Sequence, residues 1–346
     1  MSSSVLHPSP VLRKLLVTGA AGFIGFHLCN RLIDLGYVVE GLDNMNLYYE
    51  PELKRARLAL LRQREGFVFR EVDLADRDAM AALFAQGQYD GVVHLAAQAG
   101  VRYSVENPMA YLDSNLAGML TVLEGCRHSG VKHLVYASSS SVYGAATQMP
   151  LAETLDTDHP ISLYAASKKA NELMAHSYSH LYGIAATGLR FFTVYGPWGR
   201  PDMAIFKFVR AVIDGQPIDV YNQGDMLRDF TYVDDVVAAV VAVLVKPPLK
   251  SAAGAPHKVL NVGNNGPVRL LEFIECIEAA TGLPAVKNLL PMQPGDVPKT
   301  WADTSALERG YGVRPHTDLR DGVQRFVNWY RGYYGLPAEA EGRPQP

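Results

Sequence analysis

The chain has 346 residues, of which 48% are hydrophobic and 19% are charged, so it can bury a sizeable core and is not disordered as a whole. Its net charge of −3 offers no electrostatic footprint for nucleic acid or an anionic membrane. Its three cysteines lie far apart, which excludes a disulfide framework and a CxxC metal site and favours a reducing compartment.

The sequence shows neither a membrane-spanning run nor an N-terminal signal-peptide pattern. No apolar run reaches the length of about 20 residues that crosses a bilayer. The Ser/Pro-rich residues 1–10 also lack the basic and then apolar order of a signal peptide. We therefore expect a soluble, cytoplasmic protein without a membrane partner, with flexible tails over residues 1–12 and 337–346.

The first two thirds of the chain alternate short apolar runs with longer segments of helical periodicity. Wholly apolar strands separated by helices are typical of a parallel sheet covered on both faces. The predicted strands cover residues 14–18, 37–42, 67–71, 91–96 and 131–138, and the predicted helices cover residues 23–35, 76–84, 107–129 and 164–181.

The pattern changes after Gly188, where elements become shorter and Gly and Pro more frequent. Residues 196–201 have turn chemistry, and a helix over 206–213 and a strand over 218–221 follow. Asp234 or Asp235 is the predicted N-cap of an apolar helix that ends at Leu244.

This order predicts an α/β fold, a Rossmann-like doubly wound parallel sheet with a smaller C-terminal substrate-binding lobe. The first domain is expected over residues 13–190, with 230–262 returning to it, and the lobe mainly over residues 191–335.

A glycine-rich turn follows the first strand and opens a helix. Gly19 permits the tight turn, Gly22 lets the backbone approach a pyrophosphate, and Gly25 allows close packing of the helix on the sheet. Any one of these glycines could be structural, but the strand before them and the helix after them favour a dinucleotide site. Asp43 ends the second strand, where a carboxylate would bond a ribose diol and repel a 2′-phosphate. The expected cofactor is NAD.

Tyr164 and Lys168 stand four positions apart on one predicted helix and therefore share a face. Such a pair is often only a surface lysine beside a half-buried tyrosine. A free tyrosine has a pKa of about 10, so it becomes a base near neutral pH only if neighbouring positive charge favours the phenolate. We predict Tyr164 as the catalytic base and expect the ammonium of Lys168 to favour its phenolate.

The chain resembles the extended branch of the short-chain dehydrogenase/reductase superfamily, which contains nucleotide-sugar epimerases and dehydratases. Its glycines follow GxxGxxG, and the pair Asp73-Leu74, the run from His94 to Gln98 and Asn115 stand at the family's places. The resemblance implies that Lys168 holds the nicotinamide ribose and that a serine of the run 138–141 joins Tyr164, namely Ser139 or, as the alternative, Ser140. The expected cofactor-binding residues are Gly19, Ala21, Gly22, Phe23, Ile24, Gly25, Asp43, Asn44, Asp73, Leu74, Leu95, Ala96, Ala97, Gln98, Asn115, Tyr164, Lys168 and Phe192.

Three further segments, residues 100–104, 192–202 and 292–298, resemble the UDP-glucuronate 4-epimerase family. The resemblance covers about residues 13–330. It implies an NAD-dependent 4-epimerase that interconverts UDP-glucuronate and UDP-galacturonate through a transient 4-ketone. Arginine suits such a substrate because its fork donates two hydrogen bonds to phosphate or carboxylate. The expected substrate-binding residues are Arg102, Ser139, Ser140, Ser141, Tyr164, Thr193, Arg200, Tyr221, Arg228, Gln293 and Asp296.

Several alternatives stay open at this point. The family's 4,6-dehydratases and uronate decarboxylases carry acidic residues after the catalytic Ser/Thr, where this chain has Ser140 and Ser141. Elimination is therefore disfavoured, and decarboxylation is a lesser alternative. The main alternative is 4-epimerisation of neutral UDP-sugars such as UDP-glucose, and a non-catalytic NAD-binding scaffold is also possible.

Two further expectations concern metals and assembly. His176 and His180 have a zinc-compatible spacing, but no Glu or Cys pattern accompanies them, so no metal is expected. The family resemblance implies a homodimer through the predicted helices 107–129 and 164–181, and the second helix supplies apolar positions at helical spacing. These positions are Ala170, Leu173, Met174, Tyr178 and Leu181.

Overall fold

A computed structural model describes residues 13–251, 254–293 and 296–337 of the chain. Apart from Pro337, the two tails expected to be flexible lie outside the described residues.

A seven-stranded, wholly parallel sheet forms the centre of the fold, which confirms the predicted α/β class. The strand order is β10-β6-β5-β4-β1-β2-β3, so the chain first builds outward from β1 on one side and then crosses to the other side. This reversal is the doubly wound arrangement, and it places the carboxyl ends of β1 and β4 at the crevice where ligands bind. The strands are β1 (Lys14–Thr18), β2 (Val38–Asp43), β3 (Phe67–Glu71), β4 (Gly91–His94), β5 (His133–Ser139), β6 (Ala185–Phe191) and β10 (His257–Val262).

Helices cover both faces of this sheet, and its central strands are accordingly buried along almost their whole length. The helices up to β10 are α1 (Phe23–Asp34), α2 (Pro51–Arg62), α3 (Arg77–Gly87), α4 (Tyr103–Glu106), α5 (Pro108–Tyr111), α6 (Gly118–Ser129), α7 (Leu163–Tyr182), α8 (Ala204–Ile213) and α9 (Val233–Leu244). The later helices are α10 (Leu270–Thr281), α11 (Ser305–Tyr311) and α12 (Leu319–Tyr334).

Short strands of the second half of the chain form two small sheets beside the carboxyl edge of the large one. One has four strands, in which β9 pairs with β7, β11 and β13, and the other has two strands, β8 and β12. These strands are β7 (Thr193–Tyr195), β8 (Ile218–Val220), β9 (Leu227–Tyr232), β11 (Pro267–Arg269), β12 (Lys287–Leu289) and β13 (Lys299–Thr300). The chain also returns to the large sheet, because β10 pairs with β6 in parallel and forms its edge strand.

Three of the differences from the sequence predictions concern helices before β10. Helix α2 was not predicted, because two of its inward positions are the basic residues Lys54 and Arg57, which weaken the apolar periodicity. The helix predicted over residues 107–129 is instead α5, a π-helical turn over Leu112–Ala117 and α6. Neither Asp234 nor Asp235 is the N-cap of α9, since β9 runs directly into the helix and Tyr232 takes that position.

The two aspartates have another explanation. They lie in the first turn of α9, where negative charge is stabilised by the helix dipole. The Asp235 carboxylate also accepts hydrogen bonds from the backbone N–H groups of His316 and Thr317, so it ties a distant loop to the helix. Among the described residues, no helix is both long and apolar enough to cross a membrane.

Candidate functional site

A cavity of about 650 Å³ opens at the carboxyl ends of the central strands. This volume is within the range usual for ligand sites. The cavity extends from the glycine-rich turn after β1, past the catalytic candidates on β5 and α7, to the small sheets of the second half of the chain. One continuous site therefore contains most of the predicted cofactor residues and most of the predicted substrate residues.

The glycine-rich turn packs so closely that side chains would not fit. Gly19 has a φ of +73°, and a Cβ there would lie 2.8 Å from the backbone nitrogen of Ala96. A Cβ on Gly25 would lie 2.0 Å from the carbonyl oxygen of Gly19. Gly22 is the N-cap of α1, and no described side chain caps this helix, so the first-turn N–H groups are available to an anionic ligand. The turn fits the pyrophosphate of a dinucleotide.

The carboxylate of Asp43 marks the far end of the cofactor side. It accepts a hydrogen bond from the backbone N–H of Met45 at 2.9 Å, and the Lys54 ammonium lies 3.5 Å from it in a buried pair. Asn44 donates to the Asp73 carboxylate at 2.9 Å, which joins the ends of β2 and β3. Sequence reasoning missed Lys54, because it lies on the unpredicted helix α2.

The three catalytic candidates converge in the middle of the cavity. Tyr164 and Lys168 lie one turn apart on α7, and Ser139 ends the adjacent strand β5. The Lys168 ammonium donates to the carbonyl of Ala137 at 3.0 Å, which fixes α7 against the end of β5. The hydroxyl of Ser139 bonds that of Ser141 at 3.1 Å, so the end of the strand is a cluster of hydroxyl groups.

The electrostatics of this trio differ in one respect from the sequence expectation. Burial raises the pKa of Tyr164, while the hydroxyl of Ser139 and the positive charge of Arg200 lower it. Burial also lowers the pKa of Lys168, to about 8. The cation that favours the Tyr164 phenolate in this structure is therefore Arg200, whereas Lys168 is bound to a backbone carbonyl.

Asn115 supports the cavity from behind and does not line it. It lies in the π-helical turn and is 1% exposed. Its side chain accepts from the backbone N–H of Gln98 at 2.8 Å and donates to the Gln98 carbonyl at 3.0 Å. It also donates to the hydroxyl of Ser167 at 2.9 Å. Asn115 thus ties the segment after β4 to α7, the helix that carries the candidates Tyr164 and Lys168. A π-helical turn at such a place is typical of functional sites.

The opposite wall of the cavity contains a paired arginine. The Arg200 side chain donates two hydrogen bonds to the Asp202 carboxylate, with Nε at 3.0 Å from Oδ1. The Tyr48 hydroxyl donates to the same carboxylate at 3.3 Å. Thr193, Ser140 and the Arg200–Asp202 pair all line the cavity. These residues form the Arg200 wall. It presents hydroxyl groups and a cation whose charge is already partly balanced by Asp202.

Arg102 lies at the exposed, outer end of the cavity. Its guanidinium lies 4.0 Å from the Asp296 carboxylate and 5.5 Å from the ring centre of Tyr221, and it also donates to the side chain of Gln293. Its side chain is 62% exposed. Arg102 is thus grouped with Tyr221, Gln293 and Asp296, which are also predicted substrate-binding residues. It lies apart from the Arg200–Asp202 pair.

Four of the predicted site residues do not line the cavity, namely Ala21, Asn115, Arg228 and Gln293; all the others do. The Arg228 guanidinium donates to the backbone carbonyls of Leu227 and Pro298, so it braces β9 against β13. The cavity also has lining residues that the sequence analysis did not single out, including Tyr48, Tyr49, Lys54, Ser114 and Asp202. Tyr48 and Tyr49 lie in the loop before α2, and Lys54 lies on α2 itself. Because that helix was not predicted, no motif pointed to these residues.

The described residues contain no group of three or more His, Cys, Asp and Glu side chains placed to hold a metal ion. His176, considered above for its spacing to His180, instead packs edge-on against the ring of His257, with ring centres 5.3 Å apart.

Comparison with known proteins agrees with this geometry. Residues 15–263 match the model of the NAD dependent epimerase/dehydratase family, and the chain belongs to that family. It is similar to Protein CapI of Staphylococcus aureus, with 53% identity over 332 residues, 93% of this chain and 99% of the relative. It is also similar to a probable UDP-glucuronate 4-epimerase of Rhizobium meliloti (strain 1021), with 49% identity over 333 residues, 93% of this chain and 98% of the relative.

Among solved structures, the fold is similar to that of UDP-glucuronic acid 4-epimerase from Bacillus cereus in complex with UDP-glucuronic acid and NAD. The TM-score is 0.85 at 33% identity, over 93% of this chain and 100% of that chain. The expected membership of the extended epimerase branch and the expected NAD dependence are thereby confirmed.

Proposed function

We propose that the chain is an NAD-dependent 4-epimerase that interconverts UDP-glucuronate and UDP-galacturonate through a transient 4-keto sugar. One observation carries the proposal: Tyr164, Lys168 and Ser139 share a cavity with the glycine-rich turn on one side and with the Arg200 wall on the other. A uronate needs such a wall, because its carboxylate must be held while C4 reacts. The names of the relative from Rhizobium meliloti and of the Bacillus cereus structure support the same substrate.

The cofactor side of the cavity would hold NAD with the residues expected for it. The N–H groups that follow Gly19 and Gly22 would bind the pyrophosphate, and the Asp43 carboxylate would accept hydrogen bonds from the adenosine ribose. Lys54 lies beside Asp43 and keeps its carboxylate in place. When bound, NAD would supply a hydride acceptor and donor, so that the C4 alcohol is oxidised to a ketone and then reduced.

The protein's own groups would manage the proton. Tyr164 would take the proton from the C4 hydroxyl and return it after the sugar has turned over in the site. Ser139 would bridge that hydroxyl and the tyrosine, since a hydrogen bond from its hydroxyl already lowers the pKa of Tyr164. We also propose that Lys168 holds the nicotinamide ribose. Epimerisation needs no further acid, which agrees with the serines at positions 140 and 141.

The Arg200 wall would protect the intermediate. A 4-keto uronate has its carboxylate β to a carbonyl and loses carbon dioxide when the C5–C6 bond aligns with the carbonyl π system. Hydrogen bonds from Ser140, Ser141, Thr193 and Arg200 would hold the carboxylate out of that alignment. Arg102, Tyr221 and Asp296 at the outer end would bind the nucleotide part, with Gln293 orienting Arg102.

We extend the proposal to the domains, the assembly and the compartment. The first domain would comprise residues 13–190 with the returning segment 230–262, and the remainder of 191–335 would form the substrate lobe. The chain would form a homodimer through α6 and α7, because apolar side chains on both helices are exposed, with Leu173 at 60% and Leu120 at 41%. Three free buried cysteines fit a reducing compartment such as the cytoplasm.

Product analysis tests the catalytic proposal directly. The purified enzyme is incubated with UDP-glucuronate and NAD. Because the two epimers have the same mass, the nucleotide sugars are separated by chromatography against standards, and mass spectrometry detects any UDP-pentose. UDP-galacturonate is the expected product. Tyr164→Phe should lower turnover by at least about a hundredfold, the usual scale for general acid–base catalysis, and should leave NAD bound. The matched control is Tyr182→Phe on the same helix, where the ring is 43% exposed.

Other products would replace the proposal by a named alternative. Faster turnover of UDP-glucose than of UDP-glucuronate would indicate a neutral-sugar epimerase. UDP-pentose as the main product would indicate a decarboxylase, and bound NAD without any turnover would indicate a scaffold. Near-normal turnover by Tyr164→Phe would remove that residue from the mechanism.

A further inference from the structure

Helix α2 contains a fully buried arginine without a carboxylate partner. Arg57 is 0% exposed, and among the described residues no carboxylate lies within ion-pair distance of its guanidinium. A buried charge of this kind is expensive and persists only where other polar groups compensate for it. We therefore asked what the guanidinium binds.

The Arg57 guanidinium connects the two sides of the active site. One terminal nitrogen donates to the carbonyl of Ala21 at 3.0 Å and to the Tyr49 hydroxyl at 2.9 Å. The other donates to the carbonyls of Trp198 at 2.6 Å and of Gly199 at 3.2 Å. Ala21 belongs to the glycine-rich turn of the cofactor side. Trp198 and Gly199 directly precede Arg200, which lines the sugar side.

A second basic residue of the cofactor side holds the same turn. His27 lies on α1, directly behind the glycine-rich turn, and its Nε2 is 2.8 Å from the carbonyl of Pro197. Burial lowers the pKa of His27. Because a carbonyl oxygen can only accept, the Nε2–H of the ring donates this bond. Three consecutive carbonyls, at residues 197–199, are thus bound by side chains from α1 and α2.

The turn that these side chains hold has an unfavourable backbone conformation. Trp198 has a φ of +61°, a left-handed conformation that a bulky residue adopts only where its surroundings impose it. Its ring packs between Phe26 of α1 and Trp329 of α12, with ring centres at 5.4 and 5.3 Å. The position of Arg200 two residues later therefore depends on contacts made from the cofactor side.

We propose that Arg57 is a positioning residue that couples NAD binding at the glycine-rich turn to the placement of Arg200 and Asp202 on the sugar side. The coupling has two physical parts. An anionic pyrophosphate at the glycine-rich turn attracts the Arg57 guanidinium, which lies behind that turn and whose hydrogen-bond acceptors are all uncharged. The guanidinium binds both turns at once, so an ordered glycine-rich turn also orders the Trp198 turn. Lysine could not do this, because a point charge lacks the planar fork that spans two separate acceptors.

One consequence is an order of events in the active site. With NAD bound, the Arg200–Asp202 wall is preformed and the uronate carboxylate meets a fixed partner. Without NAD, the strained turn is free to relax and the affinity for the sugar falls. This consequence, but not the coupling itself, rests on the proposed epimerase function.

Hydrogen–deuterium exchange of the whole chain tests the coupling without any turnover. The exchange of residues 19–25 and 196–203 is measured by mass spectrometry with saturating NAD and after its removal. In the wild type, NAD should slow exchange in both segments, in 196–203 by about tenfold, within the usual range of coupling between sites. In Arg57→Met, NAD should still protect 19–25 but should change 196–203 by less than about twofold. The control is Arg55→Met on the same helix, where the arginine is 62% exposed and pairs with Glu52.

Steady-state kinetics supply the second readout. In Arg57→Met the KM for UDP-glucuronate should rise by about tenfold while kcat falls less, because the chemical groups of the trio are unchanged. If Arg57→Met does not fold, Arg57→Lys is measured in the same way, and it should also lose NAD-linked protection of 196–203.

The results separate failure of this inference from failure of the proposed function. NAD-linked protection of 196–203 that persists in Arg57→Met, or in full in Arg57→Lys, would overturn the coupling. The same follows if NAD does not slow exchange of that segment in the wild type. A wild-type enzyme that does not epimerise UDP-glucuronate would overturn the proposed function, and the exchange data would still decide the coupling.

Discussion

Replacement of Glu172 by Gln should strongly destabilise the protein. The Glu172 carboxylate binds Arg190 with two hydrogen bonds of 2.8 Å each, and the two side chains are only 6% and 5% exposed. It also accepts a hydrogen bond from the Ser138 hydroxyl at 2.6 Å. In Glu172→Gln the shape is kept, but Arg190 becomes a buried cation without a counter-ion. Breaking a buried pair in this way costs about 3–5 kcal/mol of unfolding free energy.

Equilibrium unfolding in urea, at a pH near neutrality, measures the loss. Glu52→Gln is the matched control, because its carboxylate pairs with Arg55 on the exposed face of α2, with 64% and 62% of the two side chains accessible. An exposed pair contributes about 0–1 kcal/mol. The double variant Glu172→Met/Arg190→Met should lose less than Glu172→Gln, since it leaves no unpaired charge. A loss in Glu172→Gln no larger than that in Glu52→Gln would refute the reasoning.

Three further predictions concern the active site and the assembly. Arg200→Ala should weaken the binding of UDP-glucuronate more than that of UDP-glucose and should release UDP-pentose and carbon dioxide, whereas Arg102→Ala should weaken the binding of both sugars equally. Equal losses of affinity for the two sugars in Arg200→Ala, without UDP-pentose, would exclude Arg200 as the carboxylate anchor. Burial lowers the pKa of Lys168 to about 8, so between about pH 8 and 10.4 the unfolded chain binds more protons than the folded one. The unfolding free energy should therefore rise with pH across this range relative to that of Lys168→Met. A difference in unfolding free energy that stays constant across the range would contradict the lowered pKa. Leu173→Glu should shift the dimer toward monomer in sedimentation, and Leu249→Glu, an 89% exposed position outside the helices, should not; a monomeric wild type would exclude the dimer.

The positions of most residues expected to bind the cofactor could be predicted from the sequence, because the signals that place them are local. The glycine-rich turn lies between β1 and α1, and Tyr164 and Lys168 share one face of α7 through their spacing alone. Each of these arrangements is set by neighbours within a few residues. Asp43 could be placed for the same reason, since it ends an apolar strand.

The rest of the site could not be predicted, because it depends on long-range contacts. Arg57 is separated by about 140 residues from the carbonyls of Trp198 and Gly199 that it binds, and a lone arginine in a sequence is normally solvent-exposed. Lys54 and Arg57 also interrupt the apolar pattern of α2. The helix was therefore not predicted, although its inward positions follow a helical period. Arg102 likewise follows β4 in sequence, but contacts with Asp296 and Gln293 place it at the outer end of the cavity.

The pairing of Arg200 with Asp202 suggests how the Arg200 wall can select a uronate without containing a bare buried cation. Arg200 is already bound by Asp202 and Tyr48 points at the same carboxylate, so the wall is a fixed dipole rather than a bare cation. A bare buried cation would be costly whenever the site is empty, whereas a paired one can turn part of its donor capacity toward a second carboxylate. The hydroxyl groups of Ser140, Ser141 and Thr193 then supply bonds that carry no repulsion, where an acidic side chain would oppose the substrate. Selectivity for the carboxylate and protection of the ketone would thus come from the same few contacts.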